Sequence, residues 1–148
     1  MGQQQLLLLV LSTVIVGFSI VLGLDAYTAS ERNARKEMAN TKMAEIAGRA
    51  IGWRNTPKSL QGGRNMDGTS SFEGFEFSEL GISETSYLFL PDGSCISSVV
   101  KDGGEQLDIQ WQPNGDCESG SDVLFKLEVT GTELADITYV TGDYTWDQ

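Results

Sequence analysis

The chain has no histidine, only two cysteines and only three prolines in 148 residues. Without imidazole it lacks the usual proton acceptor near neutral pH and the commonest zinc ligand. No histidine can therefore complete a zinc site with Cys95 and Cys117, and their spacing carries no metal signature. No glycine-rich phosphate loop follows a strand pattern, and no nucleophile elbow is present. Serine and aspartate are plentiful but gather in turn sequences, their ordinary place. These absences point away from an enzyme, and no cofactor is expected. Asn114, Asp116, Glu118 and Asp122 offer oxygens of the kind a hard cation takes, but without the spacing of an EF-hand; a plain polar loop is the expectation.

Charge is missing from the first 24 residues, and positive charge nearly disappears after Asn65. Through Asn65 there are eight basic and four acidic residues, +4; from Met66 onward there are two basic and seventeen acidic, −15. So acidic a second half repels phosphates, and nucleic-acid binding is not expected. The acidic residues are expected to form a solvated outer surface that keeps the chain soluble.

What is present begins with Leu6 to Leu24, LLLLVLSTVIVGFSIVLGL. As a helix at about 1.5 Å per residue this run is about 28 Å long, close to the hydrocarbon thickness of a bilayer. Thr13 and Gly17 lie four apart, as do Ser19 and Gly23, a spacing that lets helix backbones approach closely. Residues 25–55 continue without proline and are rich in Ala, Glu, Lys, Arg and Met, all good helix formers. Ala39, Met43, Ile46, Ala47 and Ala50 recur at three- and four-residue steps, one face of an amphipathic helix. Glu31 precedes Arg35 by four, and Glu45 precedes Arg49 by four, the favourable order for helical ion pairs. No stop signal separates the two stretches, so one helix of roughly 50 residues, about 75 Å long, is predicted, ending before Pro57.

Residues 56–81 are rich in Gly, Ser and Asn and carry Phe72, Phe75 and Phe77. They are expected to form a loop that packs its aromatics on the head, with one short strand. Residues 82–148 read as a β head. Tyr87–Leu90 and Cys95–Val100 flank the turn sequence Pro91-Asp92-Gly93-Ser94, and Asp102-Gly103-Gly104 turns again into Leu107–Gln112. Val123–Thr130 and Leu134–Thr141 follow, with Val123, Phe125, Leu127 and Val129 on one face and Tyr144-Thr145-Trp146 last. An antiparallel meander of four or five strands is predicted, covered by the amphipathic half of the long helix: an α+β fold. In an exported chain Cys95 and Cys117 would pair, closing a loop worth roughly 3 kcal/mol; in a reducing cytosol they would stay thiols. The membrane-directed N-terminus favours the pair.

Three roles compete for the apolar run. A cleaved secretory signal needs a basic start and an Ala-x-Ala-like site, and neither is present. A plain membrane anchor is permitted by length; Arg32, Arg35 and Lys36 would then place the head in the cytoplasm by the positive-inside rule, whereas paired cysteines and an acidic head argue for export. The third role accounts for more. Gly2 before Gln3, the run Leu6–Leu24, the amphipathic continuation to Asn55, the strands from Tyr87, and Cys95 with Cys117 together resemble a type IV pilin or related pilin-like filament subunit.

The resemblance implies an apolar helix held first in the membrane and then transferred into the core of a helical filament. The residues expected to pack there are Leu6, Leu7, Leu9, Val10, Thr13, Val14, Gly17, Phe18, Val21 and Gly23. It implies processing between Gly2 and Gln3, and partners that are copies of the same chain, the membrane before assembly, an assembly machinery and a prepilin-type peptidase. The location implied is the cell surface or an extracellular filament. The family's glutamate at the fifth mature position falls here on Leu7, so Gln3, Gln4 and Gln5 are expected to supply hydrogen bonds between subunits instead. Adhesion, motility, DNA uptake and electron transfer all occur with such filaments, and nothing in the residues selects among them. A monomeric membrane-anchored protein, or a minor pilin-like protein, with an acidic β binding head is the alternative.

Overall fold

The computed structural model describes residues 2–82, 87–113, 117 and 123–141. The chain divides into two compact units, Met1–Met38 and Ala39–Gln148. Helix α1 spans Gly2–Asn55, 54 residues, and its buried residues all lie at Ala39 or later. Its charged pairs form as the spacing requires: Arg35 to Glu31 at 2.6 Å and Arg49 to Glu45 at 2.7 Å, with Lys42 adding a second contact to Glu45 at 3.0 Å.

In the second unit five strands form one antiparallel sheet in sequence order: β1 Tyr87–Phe89, β2 Cys95–Lys101, β3 Gln106–Gln112, β4 Phe125–Val129 and β5 Ile137–Thr141. The end of α1 and one face of this sheet share a single apolar core. Ala39, Met43, Ile46, Ala47, Ala50 and Ile51 are buried with Ile96, Leu107, Ile109, Trp111, Leu127 and Val129. Each large apolar side chain buried here contributes about 1.5–3 kcal/mol. The three alanines on this stripe are small, so the helix backbone can lie close to its neighbours while Met43 and Ile46 fill the remaining space.

The 56–82 segment closes the core with aromatics. Phe72, Phe75 and Phe77 are buried. Phe75 meets both Phe72 and Phe77 edge-on at 6.4 Å, and Trp53 edge-on at 5.4 Å. The expected short strand is not formed among its described residues. The segment has 3-10 turns at Lys58–Leu60 and Phe77–Leu80 and two isolated backbone bridges. Backbone groups of this stretch are bonded instead in turns and to neighbouring segments, as in Gly63 N–H to Trp53 O and Phe72 N–H to Gly104 O.

Turn chemistry fixes the register. In the β1–β2 turn Gly93 takes φ 83°, and the Asp92 carboxylate accepts from both the backbone N–H and the hydroxyl of Ser94. The β2–β3 turn places Gly104 at φ 94°, where a Cβ would lie 2.0 Å from Ser71 Oγ; glycine is needed there for conformation and for close approach.

Two strand boundaries differ from the sequence expectation. The fourth strand starts at Phe125 rather than Val123, and Phe125 is half-buried against Trp111, ring centroids 4.9 Å apart. The fifth starts at Ile137, because Leu134–Asp136 is a 3-10 turn. There the Asp136 side chain accepts from Glu133 N–H at 3.0 Å, and Thr130 N–H bonds the Asp136 carbonyl at 3.2 Å. These local bonds occupy the groups a strand ladder would use. The expected terminal Tyr144-Thr145-Trp146 element lies outside the described residues.

Candidate functional site

In the first unit the distinctive surface is the apolar run itself. The 18-residue window that qualifies as long and apolar enough to cross a membrane is 0% buried. Leu6, Leu7, Leu9, Val10, Val14, Phe18 and Val21 are exposed on α1, and Gly17 and Gly23 have no neighbour within 4 Å of a notional Cβ. The polar interruptions are satisfied within the helix: Ser12, Thr13 and Ser19 donate to the carbonyls of Leu9, Val10 and Ile15, each at 2.8 Å. A hydroxyl bonded back to its own helix can enter an apolar medium without an orphaned donor. Gly2 and Gln3 lie in the first turn of α1 and are exposed. Gln3 and Gln4 share a shallow surface depression with Leu7 and Leu8.

In the second unit Cys95 and Cys117 form a disulfide with Cα atoms 6.1 Å apart, across a separation of 22 residues. Cys95 is fully buried at the start of β2, beside its register partner Gln112, also buried. The bridge ties the segment after β3 back to the sheet face opposite the apolar core.

That outer face also holds an ion cluster. Asp108 is fully buried in β3, with Lys101 Nζ at 2.6 Å and Lys126 Nζ at 3.5 Å from its carboxylate; Lys126 also reaches Glu128 at 2.6 Å. Burial pushes the Asp108 carboxyl up, but the Gln106 amide, Lys101 and Lys126 outweigh it and hold the carboxyl below its ordinary value. The Glu128 hydrogen bond raises Lys126, against desolvation and with help from Asp108. Alternation alone places Asp108 and Gln112 in solvent with the other acidic residues; the structure buries both. No sequence signal marks this, because the covering lysines come from neighbouring strands.

The strongest feature the sequence reading passed over is Arg54. It sits one residue before the end of α1 and is 8% exposed. Its guanidinium donates to the carbonyls of Ser70 (3.1 Å), Glu105 (3.2 Å), Thr130 (3.2 Å) and Gly131 (3.1 Å), and stands 4.6 Å from the Phe72 ring centroid. Burial lowers its pKa, with Glu105 and Asp136 acting the other way; an arginine stays charged through such a shift. A signal existed: Arg54 continues the stripe Ala39, Met43, Ile46, Ala47, Ala50 by one more step of four.

An open groove of about 360 Å³ borders β1, with Ile46, Ile82, Leu88 and Leu90 in its wall and Lys42, Glu45 and Arg49 at its rim. The rim charges are already paired with one another. Among the described residues no group of three His, Cys, Asp or Glu side chains is placed to hold a metal ion. Of the four loop residues with cation-binding oxygens, Asn114, Asp116, Glu118 and Asp122 all lie outside the described residues. Comparison of the chain with protein-family models, curated proteins and solved structures finds no match.

Proposed function

We propose that the chain is a structural subunit of an extracellular, type IV pilus-like helical filament, polymerising through its apolar helix after passage through a membrane-inserted state. The observation that carries this is the exposed surface of residues 6–24, whose interrupting hydroxyls are bonded back into the helix. Such a surface requires a lipid or a protein cover. Its two glycines and its serine and threonine residues suit close helix–helix packing in either setting. Lipid and helix bundle are both apolar, so transfer between them nearly cancels the hydrophobic term. Packing at the small residues, contacts between heads and an extrusion motor supply the difference. The disulfide and the acidic, compact second unit fit a domain built for an oxidising exterior. No catalytic role is assigned.

Electron microscopy and mass spectrometry of sheared surface material test this proposal. Filaments containing this chain are expected; its absence from every filament, with the chain remaining in the membrane fraction, would refute it. The mass of the native N-terminus checks the implied processing after Gly2. The second reading, a membrane-anchored binding head, is favoured by one observation, the groove beside β1. It predicts a monomer in the membrane.

A further inference from the structure

The segment Pro57–Met66 is a fixed loop with an unusual surface. Its backbone is closed by Lys58 N–H to Arg64 O at 2.8 Å, Arg64 N–H to Thr56 O at 3.0 Å and Gly63 N–H to Trp53 O at 3.0 Å. A Cβ at Gly62 would meet Thr56 O at 2.2 Å, and one at Gly63 would meet Ser71 O at 2.1 Å, so the loop lies directly on the backbone beneath it. This rigid loop holds Leu60 71% exposed and Met66 102% exposed. Lys58, Arg64 and Met66 line a shallow depression of about 390 Å³ there.

The charges around it are the informative part. In the second unit Lys42 and Arg49 pair with Glu45, Lys101 with Asp108, and Lys126 with Asp108 and Glu128, while Arg54 is buried among carbonyls. Lys58 and Arg64 are exposed and form no ion pair with a described carboxylate. Lys58 donates only to the neutral Asn65 Oδ1, at 3.4 Å, so two cations without a carboxylate partner stand beside two exposed apolar tips on a chain that is −15 from Met66 onward. The complementary surface is on the same unit. Glu73, Glu76 and Glu79 are exposed at three-residue steps, and Phe72, Phe75 and Phe77 beside them are anchored in the core. No described lysine or arginine pairs with these glutamates.

Resting on the filament reading, we propose that the Pro57–Met66 loop of one copy docks on the Glu73–Glu79 row of a second copy. Lys58 and Arg64 meet the glutamates, and Leu60 and Met66 lose their water. Where each copy gives its loop to one neighbour and its row to another, the contact is heterologous, the arrangement that propagates a polymer. Charge complementarity of this kind sets register and speeds encounter more than it adds affinity.

The test uses the full-length chain, as a mixture of isotope-labelled and unlabelled copies, in detergent micelles and after assembly. Zero-length carbodiimide cross-linking is expected to join Lys58 to Glu73, Glu76 or Glu79 in mixed-isotope pairs. K58E/R64E, with an unchanged Tm, is expected to lower pelletable polymer about tenfold or more, as like charges then face one another. Adding E73K/E76K/E79K to that variant is expected to restore polymer. Cross-links that omit Lys58, or K58E/R64E pelleting like wild type, would overturn the docking while leaving the filament reading intact. So would an effect of K58E/R64E seen only as lost binding to vesicles of anionic phosphatidylglycerol. If wild type forms no polymer, the filament reading fails, and the presence or absence of Lys58 cross-links in micelles still decides the docking.

Discussion

Replacing Arg54 with methionine keeps an apolar stem of similar length and removes the guanidinium that four loop carbonyls share. Ser70, Glu105, Thr130 and Gly131 would each lose a charged donor lying within 3.1–3.2 Å. Hydrogen bonds to charged groups are worth about 1.5–3 kcal/mol each, but simple addition overshoots, because the buried cation is itself desolvated. Each buried carbonyl left without a donor costs about 1–3 kcal/mol; with relief of the cation's own desolvation set against the four, a net loss of about 3 kcal/mol is expected. At about 4 °C or more per kcal/mol for a small domain, Tm falls by about 12 °C or more. R54K keeps the charge with fewer donors and without the planar fork, so it should recover only part of the loss. The assay is thermal unfolding of the full chain in micelles, followed by the fluorescence of Trp53 and Trp111 in the core region. An R54M loss under about 1 kcal/mol, the scale of a single ordinary hydrogen bond, would refute the clamp, and so would R54K matching wild type.

Three further outcomes are expected. C95S/C117S should lose about 3 kcal/mol of stability, read as an earlier urea midpoint. Asp108 has a folded-state pKa below its ordinary value, so its contribution is present above about pH 4 and lost as pH falls through the folded value. D108N should therefore cost about 1–3 kcal/mol at pH 7, with the gap to wild type closing in acid denaturation curves. V16D places a charge on the exposed apolar face and should abolish filament assembly, whereas normal filaments from V16D would contradict a dry helical core.

What was legible in the sequence is what depends on near neighbours. The course of α1 follows from composition and the lack of proline, its buried face from the Ala39–Ala50 stripe, and its ion pairs from four-residue spacing. The meander was legible for the same reason: strands β1 to β5 pair in sequence order across turns whose residues announce themselves. The stripe that reaches Arg54 marks its face but not its partners, which are distant, and Asp108 was hidden because its partners belong to other strands. Gly131, which receives the Arg54 guanidinium, lies 77 residues away. The 3-10 turn at Leu134–Asp136 was hidden because apolar Leu134 fits a strand pattern, while the deciding bonds come from the Asp136 side chain and carbonyl. The exposed face of the apolar run was legible as composition; its partner is not written in a single chain.

The sheet's nearest-neighbour pairing also has a kinetic meaning. Three of the four hairpins close loops of seven residues or fewer and the fourth a loop of twelve, so their entropic cost is small beside that of the long-range closures. The closure from Arg54 to Thr130 and Gly131 spans 76 and 77 residues, and it can form only once the strands between them are in place. The guanidinium therefore belongs to the last step of folding rather than to the nucleus. Its loss should leave the refolding arm of a chevron almost unmoved and raise the unfolding arm without changing its slope. In the cell such a residue sets how long a finished head survives, not how quickly it is made.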